Sequence, residues 1–218
     1  MIFIFILALI IFILIRFRHT KIKWKTFFKK GFAPKRGKFG VYCYCGKQGK
    51  GKTYSCVEFL NQNREYPIYS NVHLTGFEYN HISGFKELLE LRNKTDCIIV
   101  FDEIFTALTK TTRINTDVLD FLSQMRKRRI IFITTAQEWL EINMTLRRYC
   151  RYQIECDMKN LFGLGILIKH IYDAEQMVWS QLDNEYIAPL VETTISKCNL
   201  HVAQKYHTFE QHEDCTLK

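Results

Sequence analysis

The hydrophobic and polar positions divide the chain into one long apolar run at residues 1–15 and many shorter apolar segments after it. The shorter segments have the length of buried strands and end in glycine or polar residues, and amphipathic stretches separate them. This alternation is typical of an α/β fold with a mainly parallel central sheet flanked by helices. We predict strands at residues 39–45, 68–74, 97–103 and 130–137, helices at 54–61, 84–91 and 116–125, and further strand-like runs at 149–156 and 164–171.

The first apolar run has the sequence properties of a retained membrane anchor. Residues 1–15 contain only Met, Ile, Phe, Leu and Ala, and Phe17 extends the run past Arg16. A helix of this length spans about 25 Å, and Arg16 and Arg18 would reach the lipid headgroups. A secretory signal would carry its positive charges before the apolar run instead of after it. A buried core helix is the alternative, and we expect one N-terminal transmembrane helix over residues 1–17.

The charges that follow this run predict its orientation. Ten Lys and Arg residues and no acidic residue lie between Arg16 and Lys38. Positive flanks stay on the cytoplasmic side, so we predict a single-pass protein of the host cytoplasmic membrane, with a short N-terminus outside and the rest in the cytoplasm. Of the 31 basic residues, 13 lie at or before Lys52, which leaves 18 basic against 22 acidic residues in the rest of the chain. The net charge of +9 therefore reflects the flank and does not indicate a DNA-binding domain.

The eight cysteines are typical of reduced thiols that pack in a cytoplasmic core. Near the C-terminus, Cys198, His201, His207, His212 and Cys215 could supply metal ligands, but their spacing fits no zinc module. We interpret this segment as part of a polar tail, with a metal site as the alternative.

Residues 46–53 have the sequence G-K-Q-G-K-G-K-T and lie between a predicted strand and a predicted helix. This is a P-loop, in which glycines let successive amide groups face the phosphates of a nucleotide at the start of a helix. We therefore predict that the chain binds ATP with Mg²⁺. Lys52 would contact the β- and γ-phosphates, and Thr53 would bind the metal. The predicted nucleotide-binding residues are Gly46, Gly49, Lys50, Gly51, Lys52, Thr53 and Tyr54.

Two further predicted strands end in residues suited to nucleotide hydrolysis. The strand at residues 97–103 ends in Asp102, which would hold Mg²⁺ through water, and Glu103, which would polarise the attacking water. The strand at residues 130–137 ends in polar residues, where Gln137 and Thr134 are the candidates for sensing the γ-phosphate. An ordinary cap after the strand is the alternative role for Gln137.

A basic turn precedes the strand at residues 130–137. One or two of Arg126, Arg128 and Arg129 could enter the nucleotide site of a neighbouring subunit as arginine fingers, and we take Arg128 and Arg129 as the catalytic candidates. A solvated loop is the alternative. The rival candidates for the finger are Arg147, Arg148 and Arg151.

With these motifs the chain resembles the zonula occludens toxin-like family, which includes the assembly ATPases of filamentous phages. That family belongs to the FtsK–HerA class of DNA-pumping P-loop ATPases. The resemblance covers roughly residues 38–173. It rests on residues 46–53 and 98–103, on the basic turn 124–129 with the strand after it, and on residues 146–152.

The resemblance implies roles for individual residues. It places the phosphate-binding lysine and hydroxyl at Lys52 and Thr53, the acidic pair at Asp102 and Glu103, and the sensor at Gln137. The arginine finger of the family has no unique match. The phage assembly ATPases carry their membrane segment after the ATPase domain, whereas the apolar run precedes it here.

We thus predict an anchor at residues 1–17, a basic juxtamembrane linker at 18–37, a P-loop ATPase domain at 38–190 and a polar tail at 191–218. We expect a ring-forming motor that couples ATP hydrolysis to translocation of viral or plasmid DNA in assembly, packaging or export, with coat or assembly proteins as further partners. The alternative is a nucleotide-gated membrane scaffold that recruits coat or secretion proteins. A nucleoside kinase is a third interpretation, but no acceptor-binding lid is evident in the sequence.

Overall fold

The computed structural model describes residues 37–103, 114–161, 164–182 and 184–206, and also Leu7, Ala8 and Ile11. The predicted anchor and basic linker lie outside the described residues, apart from these three positions and Gly37. Within the described ranges, no helix is long and apolar enough to cross a membrane. The same ranges contain most of the predicted ATPase domain.

Most of the strands belong to one sheet. The strands are β1 (Gly40–Cys45), β2 (Ile68–Ser70), β3 (Asn80–His81), β4 (Ile98–Phe101), β5 (Ile131–Ala136), β6 (Cys150–Leu161), β7 (Leu164–Asp173), β8 (Val178–Ser180), β9 (Glu185–Ile187) and β10 (Leu190–Lys197). The order in the 8-stranded sheet is β10-β7-β6-β1-β5-β4-β2-β3. The remaining two strands, β8 and β9, pair separately as an antiparallel hairpin.

The strands from β3 across to β6 run parallel to one another, and β7 and β10 are antiparallel to their neighbours. A parallel sheet is covered on both faces, and every residue of β1, β4 and β5 is buried. The predicted α/β fold with a mainly parallel sheet is therefore confirmed. We call the edge where β1, β4 and β5 begin the lower edge, and the edge where they end the upper edge.

Helices form a core on each face of the sheet. They are α1 (Lys52–Gln62), α2 (Phe85–Glu90), α3 (Thr116–Ser123), α4 (Met144–Arg147) and α5 (Leu200–Ala203). On one face α1 packs with Tyr42 and Tyr44 of β1, whereas on the other face α3 packs with Val41 and Cys43 of the same strand. The described cysteines are free thiols, and all except Cys198 are buried. The expectation that cysteines pack in the core is confirmed for the buried ones.

The C-terminal segment differs from the polar tail predicted at residues 191–218. Here β10 extends the sheet by pairing with β7, so the ATPase domain does not end at residue 190. Beyond it, the Asn199 amide donates a hydrogen bond to the Tyr54 hydroxyl at 2.7 Å. The sequence pattern did not predict β10 as a strand because several of its buried residues are polar. Thr193 is one of these, and its hydroxyl lies 2.9 Å from His170 Nδ1. Residues 207–218 lie outside the described part of the chain.

A buried ion pair joins α1 to β7. Lys169 Nζ lies 2.6 Å from Glu58 Oε2, and the two side chains are 5% and 16% exposed. The pair between Lys38 and Glu65 differs in environment, since its side chains are 35% and 57% exposed. Removing one partner of a buried pair leaves an uncompensated charge in the protein interior, whereas water solvates the remaining partner of an exposed pair.

The Lys169→Met substitution should lower the free energy of unfolding by about 3–5 kcal/mol, because the Glu58 carboxylate would remain buried without its cation. The matched substitution Lys38→Met should cost no more than about 1 kcal/mol. Denaturant unfolding of the detergent-solubilised full chain, followed by circular dichroism, measures both changes. Equal costs for the two variants would contradict a structural role for the buried pair.

Candidate active site

The loop between β1 and α1 contains the predicted P-loop. Gly46 has a φ of +146° and Gly49 a φ of +75°, and both are conformations that favour glycine. A Cβ atom at Gly46 would lie 2.8 Å from the carbonyl oxygen of Cys156, whereas a Cβ atom at Gly49 would meet no atom within 4 Å. The loop therefore rests on β6 at its start and is open at Gly49, where a phosphate group could approach the backbone.

The Lys52 ammonium group lies against this loop. Its Nζ donates hydrogen bonds to the carbonyl oxygens of Gly46 at 2.7 Å and Lys47 at 3.3 Å. The first amide groups of α1 have no carbonyl acceptor within the helix. These amides and the ammonium group face the same loop and together form a site for an anion such as a phosphate.

Tyr54 can contribute only its main chain to this site. Its side chain is 2% exposed, and its hydroxyl accepts the amide of Asn199. Burial raises the pKa of this hydroxyl to about 12. The predicted nucleotide contact of Tyr54 is therefore limited to its amide group, because the side chain is part of the core.

Asp102 follows β4 and is held from several sides. Thr53 Oγ1 donates to one carboxylate oxygen of Asp102 at 3.3 Å, and the Thr135 hydroxyl donates to the other. The Asp102 amide donates to Asn71 Oδ1 at 2.7 Å, and Asn71 Nδ2 donates to the Asp102 carbonyl at 3.3 Å. The Asp102 carboxylate is thus fixed beside the Thr53 hydroxyl. The two groups are close enough to bind the same magnesium ion. Hydroxyl and carboxylate oxygens are ligands suited to Mg²⁺.

Glu103 lies next to Asp102 at the upper edge and is exposed. Its φ of +61° is unusual for a residue other than glycine and turns the chain sharply after β4. Its amide donates to Thr135 Oγ1 at 2.9 Å, so one hydroxyl contacts both acidic residues. A carboxylate in this position is available to a water molecule near the phosphates.

The end of β5 lies between the P-loop and Asp102, because β5 is inserted between β1 and β4 in the sheet. The sequence prediction of Thr134 as a sensor is wrong: its hydroxyl is buried and has no partner among the described residues. Thr135 contacts Asp102 instead, and nothing in the sequence pattern of β5 indicates this contact. Alternate residues of a strand face opposite sides, and Thr135 shares its side of the sheet with α1, which carries Thr53.

Gln137 follows β5 at the upper edge and is exposed. The Gly46 amide lies 3.2 Å from the carbonyl oxygens of both Ala136 and Gln137, so the main chain of this segment holds the start of the P-loop. The structure thus brings Gln137 to the site. A sensor role for its side chain stays a prediction.

The predicted arginine-finger candidates lie at the lower edge, opposite the P-loop. Arg128 and Arg129 precede β5, and Arg129 Nε lies 2.7 Å from Asp96 Oδ1. The six residues of β5 separate them from the upper edge by about 20 Å. They therefore do not contribute to the site of their own chain, and a role in the site of a neighbour stays a prediction.

Two of the rival finger candidates are part of the core. Arg147 is 2% exposed and lies 2.7 Å from Glu185, and Arg151 is buried and donates to the Phe39 carbonyl at 2.7 Å. Neither guanidinium group can extend into a neighbouring subunit, so these two predictions are wrong. Arg148 is exposed at the lower edge.

An ion pair that the sequence analysis missed links the P-loop to β6. Lys50 Nζ lies 2.7 Å from Asp157 Oδ1, in the part of β6 that extends past the end of β1. The Lys50 ammonium group holds the pKa of Asp157 below its ordinary value. The two residues are 107 positions apart in the chain, and no sequence spacing could reveal their contact.

A P-loop after β1, an acidic pair after β4 and the polar end of β5 between them define a P-loop nucleoside triphosphatase. The sequence profile of the ATPase family associated with various cellular activities (AAA) matches residues 42–160, which is more than half of the chain. The chain belongs to this family, and it is an ATP hydrolase.

Solved structures with a similar fold include the N-terminal domain of zonular occludens toxin from Neisseria meningitidis. It is 14% identical over 77% of this chain and 98% of that chain, with a TM-score of 0.49. The genome packaging NTPase B204 from Sulfolobus turreted icosahedral virus 2 is 10% identical over 69% of this chain and 96% of that chain, with a TM-score of 0.47. The family that the sequence motifs resemble is thus among the similar structures. Comparison with curated protein sequences finds no match.

The Thr135→Val substitution should lower the turnover number for ATP at least about tenfold while changing nucleotide affinity little, because the hydroxyl that orients Asp102 and Glu103 would be lost. The matched substitution Thr134→Val should leave turnover unchanged and should not destabilise the protein, since the Thr134 hydroxyl has no hydrogen-bond partner in the part of the chain that the structure describes. Steady-state hydrolysis and titration with a fluorescent ATP analogue measure the two effects. Equal turnover in the two variants would contradict the role given to Thr135.

Proposed function

We propose that the chain is a membrane-anchored motor ATPase that couples ATP hydrolysis to DNA translocation in the assembly, packaging or export of a virus or phage. The observation that carries the motor assignment is the Asp102–Glu103 pair, held at the upper edge beside the P-loop. A protein that only binds nucleotide has little need for the second carboxylate. The DNA assignment is supported by the sequence motifs shared with the zonula occludens toxin-like family.

The residues of the site divide the chemistry among them. Lys52 and the amides of the P-loop bind the phosphates, and Thr53 with Asp102 would hold Mg²⁺, which would supply positive charge to neutralise the phosphates. Glu103 accepts a proton from the attacking water, and Gln137 orients that water. Thr135 keeps both acidic residues in place without contacting the substrate.

A ring of identical subunits is part of this proposal. Hydrolysis in this class of ATPase uses an arginine from a neighbouring subunit, and subunits joined head to tail close into a ring. The structure places Arg128 and Arg129 far from the P-loop of their own chain. If either is a catalytic finger, it acts on another subunit.

The Lys52→Ala substitution should abolish ATP binding, whereas Glu103→Gln should retain bound ATP and stop hydrolysis, because it removes only the proton acceptor. The decisive measurement is steady-state ATP hydrolysis by the detergent-solubilised full chain without DNA, with single-stranded DNA and with double-stranded DNA. A motor should hydrolyse faster with one of the two DNA forms, and this increase should be lost in Glu103→Gln.

The control for this experiment is Lys86→Gln, which changes an exposed lysine of α2 outside the P-loop. Hydrolysis at the normal rate in Glu103→Gln would refute the assignment of the base. Hydrolysis that is slow and indifferent to DNA would instead favour a nucleotide-gated scaffold that recruits coat or secretion proteins.

Membrane anchoring is the other part of the proposal, and it is supported by the apolar sequence of residues 1–15 and the basic flank. The full chain should stay in the membrane during alkaline carbonate extraction, whereas a chain without residues 1–17 should be released, since it has lost the apolar segment. A chain without residues 207–218 is the control and should stay. Release of the full chain under these conditions would contradict the anchor.

A further inference from the structure

The lower edge of the sheet carries a hairpin with exposed apolar side chains. The strand β7 runs antiparallel to β6 and ends at the lower edge, and the β8–β9 hairpin follows it. In the hairpin Val178 is 57% exposed, Trp179 is 51% exposed and Leu182 is 98% exposed. The ring of Trp179 meets that of Tyr186 at an edge, with centroids 5.1 Å apart. A cluster of this kind on a protein surface indicates a contact with a partner.

The base of the hairpin is fixed to the domain. The buried Arg147 of α4 lies 2.7 Å from Glu185 Oε1 and donates to the Tyr186 carbonyl at 3.3 Å. On the approach to the hairpin, Glu175 forms an ion pair with Arg126. These contacts hold the apolar residues at a defined place on the lower edge.

A basic turn lies beside the hairpin. The turn before β5 contains Arg126, Lys127, Arg128 and Arg129. Among the described residues, Arg126 pairs with Glu175 and Arg129 pairs with Asp96, but Lys127 and Arg128 have no carboxylate partner. Aromatic and apolar side chains next to the exposed Lys127 and the half-buried Arg128 match the interface of a membrane with anionic headgroups.

The chain also enters the sheet at this edge. The first strand, β1, begins there at Gly40, and the sequence from Arg16 to Lys38 before it has ten basic residues and no acidic residue. The apolar run of residues 1–15 precedes that flank. The part of the chain that carries this run is therefore joined to the domain at the lower edge, the edge that also bears the hairpin and the basic turn.

We propose that the lower edge, with the β8–β9 hairpin and the basic turn at residues 126–129, lies on the surface of an anionic membrane. This inference rests on the proposed anchoring. Trp179 and Leu182 enter the interfacial region, and Lys127 and Arg128 contact the headgroups. The P-loop, at the upper edge, faces away from the membrane.

Single-stranded DNA and a neighbouring subunit are the other candidates for this surface. The most exposed side chains of the hairpin, Leu182 and Val178, are aliphatic, and its aromatic rings, Trp179 and Tyr186, pack against each other, which disfavours stacking on successive bases of DNA. A neighbouring subunit would use the basic turn as an arginine finger. For that role, the lower edge of one subunit would have to contact the upper edge of the next, because the P-loop lies at the upper edge.

The test uses the full chain reconstituted in vesicles that contain brominated phosphatidylcholine, with or without phosphatidylglycerol. Bromine quenches tryptophan fluorescence only at close range, and the difference between the wild type and Trp179→Phe isolates Trp179 from Trp24 and Trp139. Trp179 should be quenched in the anionic vesicles.

The Leu182→Asn substitution should remove most of this quenching, whereas the matched Gln181→Asn should not, because it removes no apolar side chain. Lys127→Gln should weaken the quenching and leave hydrolysis in detergent unchanged.

The outcomes separate this inference from the proposed anchoring. If the chain resists carbonate extraction but Trp179 is not quenched, the anchor stands and the membrane contact of the hairpin is refuted. If carbonate releases the chain but Trp179 is quenched on anionic vesicles, the contact stands and the anchor is refuted. If single-stranded DNA quenches Trp179 and brominated lipid does not, the hairpin is a DNA-binding surface and the membrane contact is refuted. Loss of turnover in Arg128→Ala, measured in detergent, would assign the turn to a neighbouring subunit.

Discussion

Both oxygens of the Asp102 carboxylate accept hydrogen bonds from threonine hydroxyls, and the rest of the site depends on this contact. One hydroxyl belongs to Thr53 at the start of α1 and the other to Thr135 on β5. They meet at Asp102 because β5 lies between β1 and β4 in the sheet. A shift of β5 by one residue would turn Thr135 to the opposite face. The register of three buried strands therefore positions a single carboxylate beside the P-loop.

The sequence pattern was sufficient to predict the strands that carry the site, because a strand covered on both faces is continuously apolar. The same property prevented a prediction of which side chains face α1. In β5, Thr134 and Thr135 are both fully buried, and no alternation of polar and apolar residues distinguishes the two faces. The choice depends on pairing with β1 and β4, which only the folded sheet defines. The strand β10 was missed for a related reason, since polar side chains of this strand such as Thr193 are buried inside the protein.

The contacts that hold the P-loop and its helix to β6 and β7 were also beyond prediction. Lys50 reaches Asp157 on β6, and Glu58 reaches Lys169 on β7, across 107 and 111 positions of sequence. Each pair joins the nucleotide-binding segment to strands that carry no catalytic group. The strands β6 and β7 therefore support the nucleotide-binding segment, and the main chain of β6 lies so close that a Cβ atom at Gly46 would be 2.8 Å from the carbonyl oxygen of Cys156.

The two edges of the sheet impose different requirements on an assembly of these chains. An arginine from the basic turn could reach a neighbouring P-loop only if subunits stacked end to end, with the lower edge of one on the upper edge of the next. If residues 1–17 anchor the subunits and the lower edge lies on the membrane, as we propose, the lower edges of all subunits would lie in one plane. In such a ring the neighbours are side by side and the basic turns all face the membrane. An arginine finger in that arrangement must come from a part of the chain other than residues 126–129.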